Sequence, residues 1–340
     1  MSLHMLPQTN NFYIQPKKHH PILRSLPVLF VILIAVGGYV ERQNIFDQYK
    51  LHNYVAPKEI ADLAFKDDMT NYAQKIYYVN HPEITEGVSF NAACPNNGGE
   101  KTIVLGCYTG GQQGITLLGV TEPLLNGVEQ VTAAHEMLHA AYDRLSSSEK
   151  TKVDALLVAY YKNDMHDKRI SAIIDAYKIS EPKDVVNEMH SVFGSEIINL
   201  PQPLESYYKK YFTNRSVVTN FAAKYQAEFT NRQNTVAQDD IQLVNLKSQI
   251  DAKETDLKSR LIDINSQQAS LVSLRSSDVK AFNAGVPGYN QLVDNYNAEA
   301  DGLQNLITEY NQLVNSRNAV ALEEDQLAKE LTSTASQINR

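Results

Sequence analysis

The sequence predicts an α+β chain: a mostly helical central domain with a small sheet, preceded by an apolar N-terminal helix and followed by a long antiparallel helical hairpin. Three observations carry this. Helix-period apolar runs recur through residues 128–196, two short β-rich runs flank a glycine turn within 102–121, and after about residue 215 the composition shifts to Gln, Asn, Ser, Asp, Lys and Leu. The 340 residues thus divide into a tail (1–21), an apolar segment (22–40), a linker or stalk (41–69), the central domain (70–215) and the hairpin (216–340).

The apolar segment runs from Ile22 through Val28-Leu29-Phe30-Val31-Ile32-Leu33-Ile34 to Val40 and just reaches the length of about 20 residues that spans a bilayer. Lys17, Lys18 and Arg24 stand at its start, so the positive-inside tendency keeps residues 1–21 cytoplasmic and places everything after Glu41 outside. The long extension before the run, and its Gly-Gly-Tyr-Val-Glu end, favour an uncleaved single-pass anchor over a cleaved signal peptide. A formal net charge of −8 provides no basic footprint for nucleic acid and confines the expected contact with lipid to residues 22–40.

Residues 41–56 read as an outward continuation of the membrane helix, Pro57 starts a short helix, and Tyr72–Val79 reads as a first strand. Cys94 and Cys107, the only two cysteines, bracket a turn-rich Pro95–Gly99 segment and are expected to pair, in keeping with export. Thr102–Thr109 and Gly114–Thr121 read as two strands joined by a turn at 110–114, a hairpin whose edge suits an extended peptide.

The next helix, from Val128 to Leu145, holds His135-Glu136-Met137-Leu138-His139. One turn apart, the two imidazoles share a face and can converge on one Zn²⁺, with Glu136 placed as a general base. The structural alternative is an ordinary helix with two polar histidines; Val131 and Tyr142 on the same face favour a cleft floor. Ser146–Ser148 can cap a helix carrying Val153, Leu156, Leu157, Tyr160 and Tyr161, and another short helix is expected at 168–177. Residues 182–196 form an amphipathic helix with Val185, Met189 and Val192 on one stripe and Glu188 on its flank. A catalytic zinc takes three protein ligands and keeps one open position, and Glu188 is the leading third. His190 and Glu196 are the alternatives, since Glu188 and His190 lie about 200° apart around a helix and cannot face the same ion.

At this point the chain resembles the zincin metallopeptidases, and within them the gluzincin branch typified by thermolysin-like enzymes. Asn187-Glu188-Met189-His190-Ser191 matches that branch's N-E-x-x-S segment, whose glutamate is the third ligand. The resemblance implies a zincin-like domain with His135, His139 and Glu188 as metal ligands and Glu136 as base. The branch's aspartate after the serine, which supports a ligand histidine, is replaced by Val192, leaving Asp143 or Glu196 to fill that role. The oxyanion donor is open among Tyr142, His190 and the cluster Tyr207, Tyr208 and Tyr211, with Tyr142 and His190 the leading catalytic candidates. The resemblance covers two helices, at most residues 70–215.

Beyond it, Leu243, Leu246, Ile250, Leu257, Leu261 and Ile264 begin a periodic arm expected to be helical from about 220 to 282. The pattern breaks at Asn283–Gly288, where Pro287 and two glycines predict the reversal, and resumes from Leu292. Such a rod spaces, dimerises or recruits an envelope protein, and Glu254, Asp256, Glu323 and Glu324 read as its solvated face. The expectation is a membrane-anchored extracytoplasmic zinc peptidase acting on polypeptides. The rival is an envelope scaffold that works through the rod and keeps a vestigial or structural metal site.

Overall fold

The computed structural model describes residues 21–94 and 105–331, with side chains from Phe30 onward among the first of them. Two compact units result, residues 1–55 and 56–340. In the first, α1 (Pro21–Val40) is followed by α2 (Arg42–Leu51). Hydrogen bonds from Glu41 N to Gly37 O and from Ile45 N to Glu41 O carry the helical pattern across the junction. Phe30, Leu33, Ile34 and Val36 are all more than half exposed. Among the described residues no helix is long and apolar enough to cross a membrane. The anchor expected at 22–40 includes residues 22–29, whose side chains fall outside the described set, as does the tail at 1–20.

The second unit begins with α3 (Lys58–Lys66) and α4 (Asn71–Val79). The strand expected at 72–79 is therefore a helix. Thr70 Oγ1 accepts from Ala73 N at 3.2 Å as its N-cap, and the buried residues Ala73, Ile76 and Tyr77 fall at three- and four-residue spacing. The tyrosines and the valine carry β propensity, but a capped stripe packed on a core outweighs it.

A three-stranded sheet follows in the order β1 (Glu83–Thr85), β3 (Gly114–Leu118), β2 (Gly106–Thr109), with α5 (Gly87–Ala93) between β1 and β2 in sequence. The β2–β3 hairpin is antiparallel, pairing Cys107 with Thr116, as its glycine turn predicted. β1 runs parallel to β3, pairing Glu83 with Thr116, and was not legible as a strand. Ile115 and Leu117 enter the main core, whereas Leu118 joins Phe90 and Cys94 in a smaller cluster on the other side. Cys94 and Cys107 form a disulfide with a Cα–Cα separation of 5.8 Å, tying the end of α5 to β2. The loop between them, like the start of the expected strand at Thr102–Val104, lies outside the described residues.

On this sheet packs α6 (Val128–Asp143); α9 (Val185–Glu196) packs on α6, α7 (Ser147–Asn163) and α8 (Lys168–Ser180) pack on α9, and α10 (Gln202–Tyr208) packs on α7. Ser146 caps α7 in a reciprocal box with Glu149. Twelve of the sixteen residues of α6 are buried, so this is the central helix and not a surface one. Its alanines 133, 134, 140 and 141 are at most 1% exposed and let neighbours come close. The partner is α9, where a Cβ on Gly194 would stand 2.5 Å from Leu138 Cδ1 and 2.6 Å from Tyr208 Cε1. At the end of α9 the buried Arg215 guanidinium donates to Ile197 O at 2.5 Å and Ile198 O at 3.0 Å, and pairs with Glu205. A cation on the last carbonyls satisfies groups that the helix leaves unbonded.

The hairpin consists of α11 (Ser216–Ser277) and α12 (Val279–Glu330). The 62 residues of α11 give a helix of about 90 Å. The reversal lies at Asp278, not at Asn283–Gly288. Asp278 takes an extended conformation, φ −152° and ψ 91°, and its carboxylate accepts from Lys280 N and Ala281 N. Pro287 is inside α12, and a Cβ on Gly285 would stand 2.7 Å from Leu271 Cδ2, so this glycine serves close approach of the arms and not the turn. Arg317–Asp240 and Lys253–Glu299 pairs cross between the arms. Of the residues expected to be solvated, Glu323 pairs with Arg232 and Glu324 accepts from Gln233, both across the arms.

Candidate metal centre

The packing of α9 on α6 brings three chemically suited groups together. His135 Nε2 and His139 Nε2 are 2.9 Å apart, and Glu188 Oε2 lies 3.7 Å from the first and 3.4 Å from the second. Among the described residues these form a cluster whose ligand atoms all lie within 4.8 Å of one another. His135 and His139 each expose 17% of their side chains and Glu188 only 5%, so the carboxylate is at the floor and the imidazoles face the opening.

Burial opposes charge on His135, but Glu188, with Glu136 and Glu196 adding to it, outweighs burial and raises the imidazole to about 9. Burial also opposes the charge of Glu188, and the two histidines overcome it, lowering the carboxyl to about 2. A carboxylate sunk 4% exposed beneath two imidazoles is held by positive charge, whether carried by a proton or by a metal ion. A tetrahedral ion with bonds of about 2.0–2.1 Å holds its ligand atoms roughly 3.3–3.4 Å apart, close to the 3.4 and 3.7 Å separations here. The shorter histidine pair is an N–H···N contact between two imidazoles. The donor set and its spacing therefore fit one divalent ion.

These groups open into a cleft of about 920 Å³. Glu136 lines it, 5% exposed, between the two histidines in sequence. Strand β2 passes directly above: a Cβ on Gly106 would stand 2.6 Å from Thr132 Cγ2 and 3.1 Å from Glu136 Cγ and Oε1. Only glycine lets the backbone of the sheet edge approach Glu136 this closely. Asp143 fastens that hairpin to the helix, accepting from Tyr108 OH at 2.8 Å and Gly111 N at 3.2 Å.

The other candidates fall differently. Tyr142 donates its hydroxyl to Asp154 at 2.8 Å, and His190 Nε2 is 2.8 Å from Tyr207 OH. Neither is among the cleft-lining residues. His190 is fully buried, and burial together with His139 and His135 lowers it to about 3, so it stays neutral. With Tyr207, Tyr208 and Tyr211 it builds an aromatic cluster beneath α9, where Tyr208 OH donates to His190 O at 2.7 Å. Those tyrosines support the helix that carries Glu188. Of the two acids weighed as histidine supports, Asp143 is engaged by the hairpin, while Glu196 faces the cleft and adds to the charge felt by His135.

The cleft also contains Gly106, Tyr108, Tyr177, Asp184 and Tyr225, none of which sequence reasoning singled out. Gly106 beside Cys107 in a β-rich run was the one visible signal. Tyr225 sits on α11, in a stretch that reads as spacer.

Fold and cluster together define an α+β chain with a His-His-Glu donor set at the floor of a cleft bordered by a sheet edge. Compared with protein-family models, with curated proteins and with solved structures, the chain finds no match in any of the three.

Proposed function

We propose that this chain is a zinc-dependent endopeptidase, anchored by residues 22–40 and acting outside the membrane on polypeptides of the envelope or the extracellular space. The observation that carries the reading is the convergence of His135, His139 and Glu188 at the floor of a cleft that also holds Glu136. These three residues would hold the zinc. When bound, it supplies a Lewis acid that activates water and polarises the scissile carbonyl.

The chain's own groups do the rest. Glu136 accepts the proton of the attacking water and delivers it to the leaving amine, a transfer suited to a carboxylate kept from bulk solvent. β2 is an edge strand, and its outer N–H and C=O groups bind an extended peptide by main-chain hydrogen bonds. Gly106 sets that peptide near Glu136. The exposed apolar side chains from Phe30 to Val40 support the anchor, and the paired cysteines support an oxidising compartment.

The full chain in detergent, assayed by mass spectrometry, is expected to carry about one zinc, lost in His139→Ala and Glu188→Ala. Glu136→Gln retains the zinc and loses cleavage of an unfolded protein substrate. Folded wild type that takes up no zinc when it is supplied would sink the reading. In that case the rod becomes the functional part: Ile241, Val244, Ile262 and Val272 are more than 60% exposed on α11 and favour a scaffold that self-associates.

A further inference from the structure

Six carboxylates line the cleft: Glu136, Asp143, Glu181, Asp184, Glu188 and Glu196. No lysine or arginine is among the described residues that line it. A divalent ion at the floor offsets Glu188 and Glu136, and Arg169 offsets Glu196 at 2.7 Å. Asp143, Glu181 and Asp184 leave even the loaded cleft negative, and a concave surface of one sign draws in the other. Of these three, Asp143 is engaged by the β2–β3 hairpin through Tyr108 OH and Gly111 N. Asp184 stands at the start of α9, exposed and without a capping hydrogen bond from its side chain. Glu188 N donates to Asp184 O at 2.9 Å, so the two residues are one helical turn apart on the same face, with Cβ atoms about 5–6 Å from each other. Asp184 thus borders the place where a scissile carbonyl meets the ion, within reach of a side chain one residue, about 3.8 Å, further along an extended peptide. On α8, Ile173, Tyr177 and Ser180 recur at i, i+4 and i+7 and line the same cleft, the first two half-buried. That stripe ends at the turn 181–184, closed by Asp184 N on Glu181 O at 3.0 Å. An apolar stripe that runs up to a carboxylate suits a side chain with a methylene stem and a cationic head.

We propose that the cleft takes polypeptides bearing lysine or arginine, and that Asp184 is its specificity-determining residue: it receives the basic side chain next to the bond that is cut, while Ile173 and Tyr177 carry the stem. This rests on the peptidase reading given above and names its substrate class, which an ion and a general base alone do not choose.

The test uses the full chain in detergent, supplied with zinc, and pairs of N-acetylated peptides that differ at one position of an otherwise uncharged sequence, lysine against norleucine and arginine against citrulline. Acetylation removes the terminal ammonium as a rival cation, and mass spectrometry of the products locates the cut. Wild type is expected to cut beside the basic residue and to favour the cationic member about threefold to fivefold in kcat/KM, the size of one exposed ion pair, with the preference shrinking in 1 M salt. Asp184→Asn abolishes the preference, and Asp184→Lys turns it towards a glutamate peptide. Asp175→Asn, the same charge change on α8 at a carboxylate held by Tyr161 and Lys178 and not among the cleft-lining residues, keeps it. Should Asp184→Lys misfold, the isosteric Asp184→Asn carries the comparison. Fluorescence anisotropy of the labelled peptides on the zinc-free chain repeats it without turnover. Equal kcat/KM within each pair, or a preference unchanged in Asp184→Asn, overturns the inference and leaves the peptidase standing. A folded chain that cuts neither member but binds the basic one more tightly, and loses this in Asp184→Asn, keeps the basic-polypeptide site and overturns the peptidase. No cleavage and no difference in binding overturns both.

Discussion

Replacing Gly194 by alanine tests whether the helix contact and the candidate metal centre are one structure. The added Cβ would lie 2.5 Å from Leu138 Cδ1 and 2.6 Å from Tyr208 Cε1, short of normal carbon contact by about 1 Å. Neither neighbour has room to yield. Leu138 and Tyr208 are both fully buried, and the tyrosine is tethered to His190 O. The helices α6 and α9 must therefore separate by several tenths of an ångström to about 1 Å, with an overpacking cost of about 1–3 kcal/mol. At roughly 2–4 °C per kcal/mol for a domain of this size, the melting temperature falls by about 4–8 °C for a cost near 2 kcal/mol. Leu138 adjoins His139, and α9 carries Glu188, so the 3.4 Å separation between those two ligand atoms widens with the helices. Metal affinity then falls at least about tenfold, because a donor set must be held to about 0.5 Å. Thermal unfolding by circular dichroism, with and without zinc, and chelator competition read the two effects. Gly288→Ala is the control: nothing lies within 4 Å of the added carbon, and alanine in that helix is stabilising by up to about 1 kcal/mol. Unchanged melting and unchanged zinc affinity in Gly194→Ala would refute the argument that glycine at 194 seats Glu188.

In the metal-free protein the His135–Glu188 pair makes stability depend on pH in both directions. Glu188 is lowered from 4.5 to about 2, so its contribution is complete above pH 4.5 and is lost as pH falls towards 2. His135 is raised from 6.5 to about 9, so its contribution is complete below pH 6.5 and is lost as pH rises through 9. Melting temperatures of chelator-treated protein are therefore highest in the window between, and Glu188→Gln flattens both flanks; a profile identical in the variant would contradict the pairing. Arg215→Met removes the donor to the carbonyls at the end of α9, costing about 1–3 kcal/mol in denaturant unfolding, beyond a surface substitution. Asp278→Ala removes the cap of α12 at about 1 kcal/mol, with faster hydrogen exchange confined to the rod tip around 275–285; faster exchange at 283–290 alone would return the reversal to the proline.

How much of this was legible in sequence can be judged residue by residue. The α6 motif, the Ser146 cap, the β2–β3 turn and the cysteine pair rest on interactions between residues near in sequence, and each was readable from spacing and residue type. Tyr72–Val79 misled because its tyrosines and valine suit a strand, while the Thr70 cap and a buried stripe made it a helix. Asn283–Gly288 misled for a related reason. A proline and two glycines look like a reversal, but the cap at Asp278 comes first, and the glycine at 285 is used for contact with Leu271.

By itself, then, the sequence determined the candidate metal ligands of α6 and of α9, because a helix places i and i+4 on one face wherever it sits. Only the tertiary structure decided that Glu188 meets those histidines, that Tyr142 and His190 turn to Asp154 and Tyr207 instead of the cleft, and that the hairpin lends Tyr225 to the cleft wall. Those outcomes depend on how closely α6, α9 and α11 approach. That distance is set by the small residues at their crossings and by the buried partners of each polar group, which no local pattern contains.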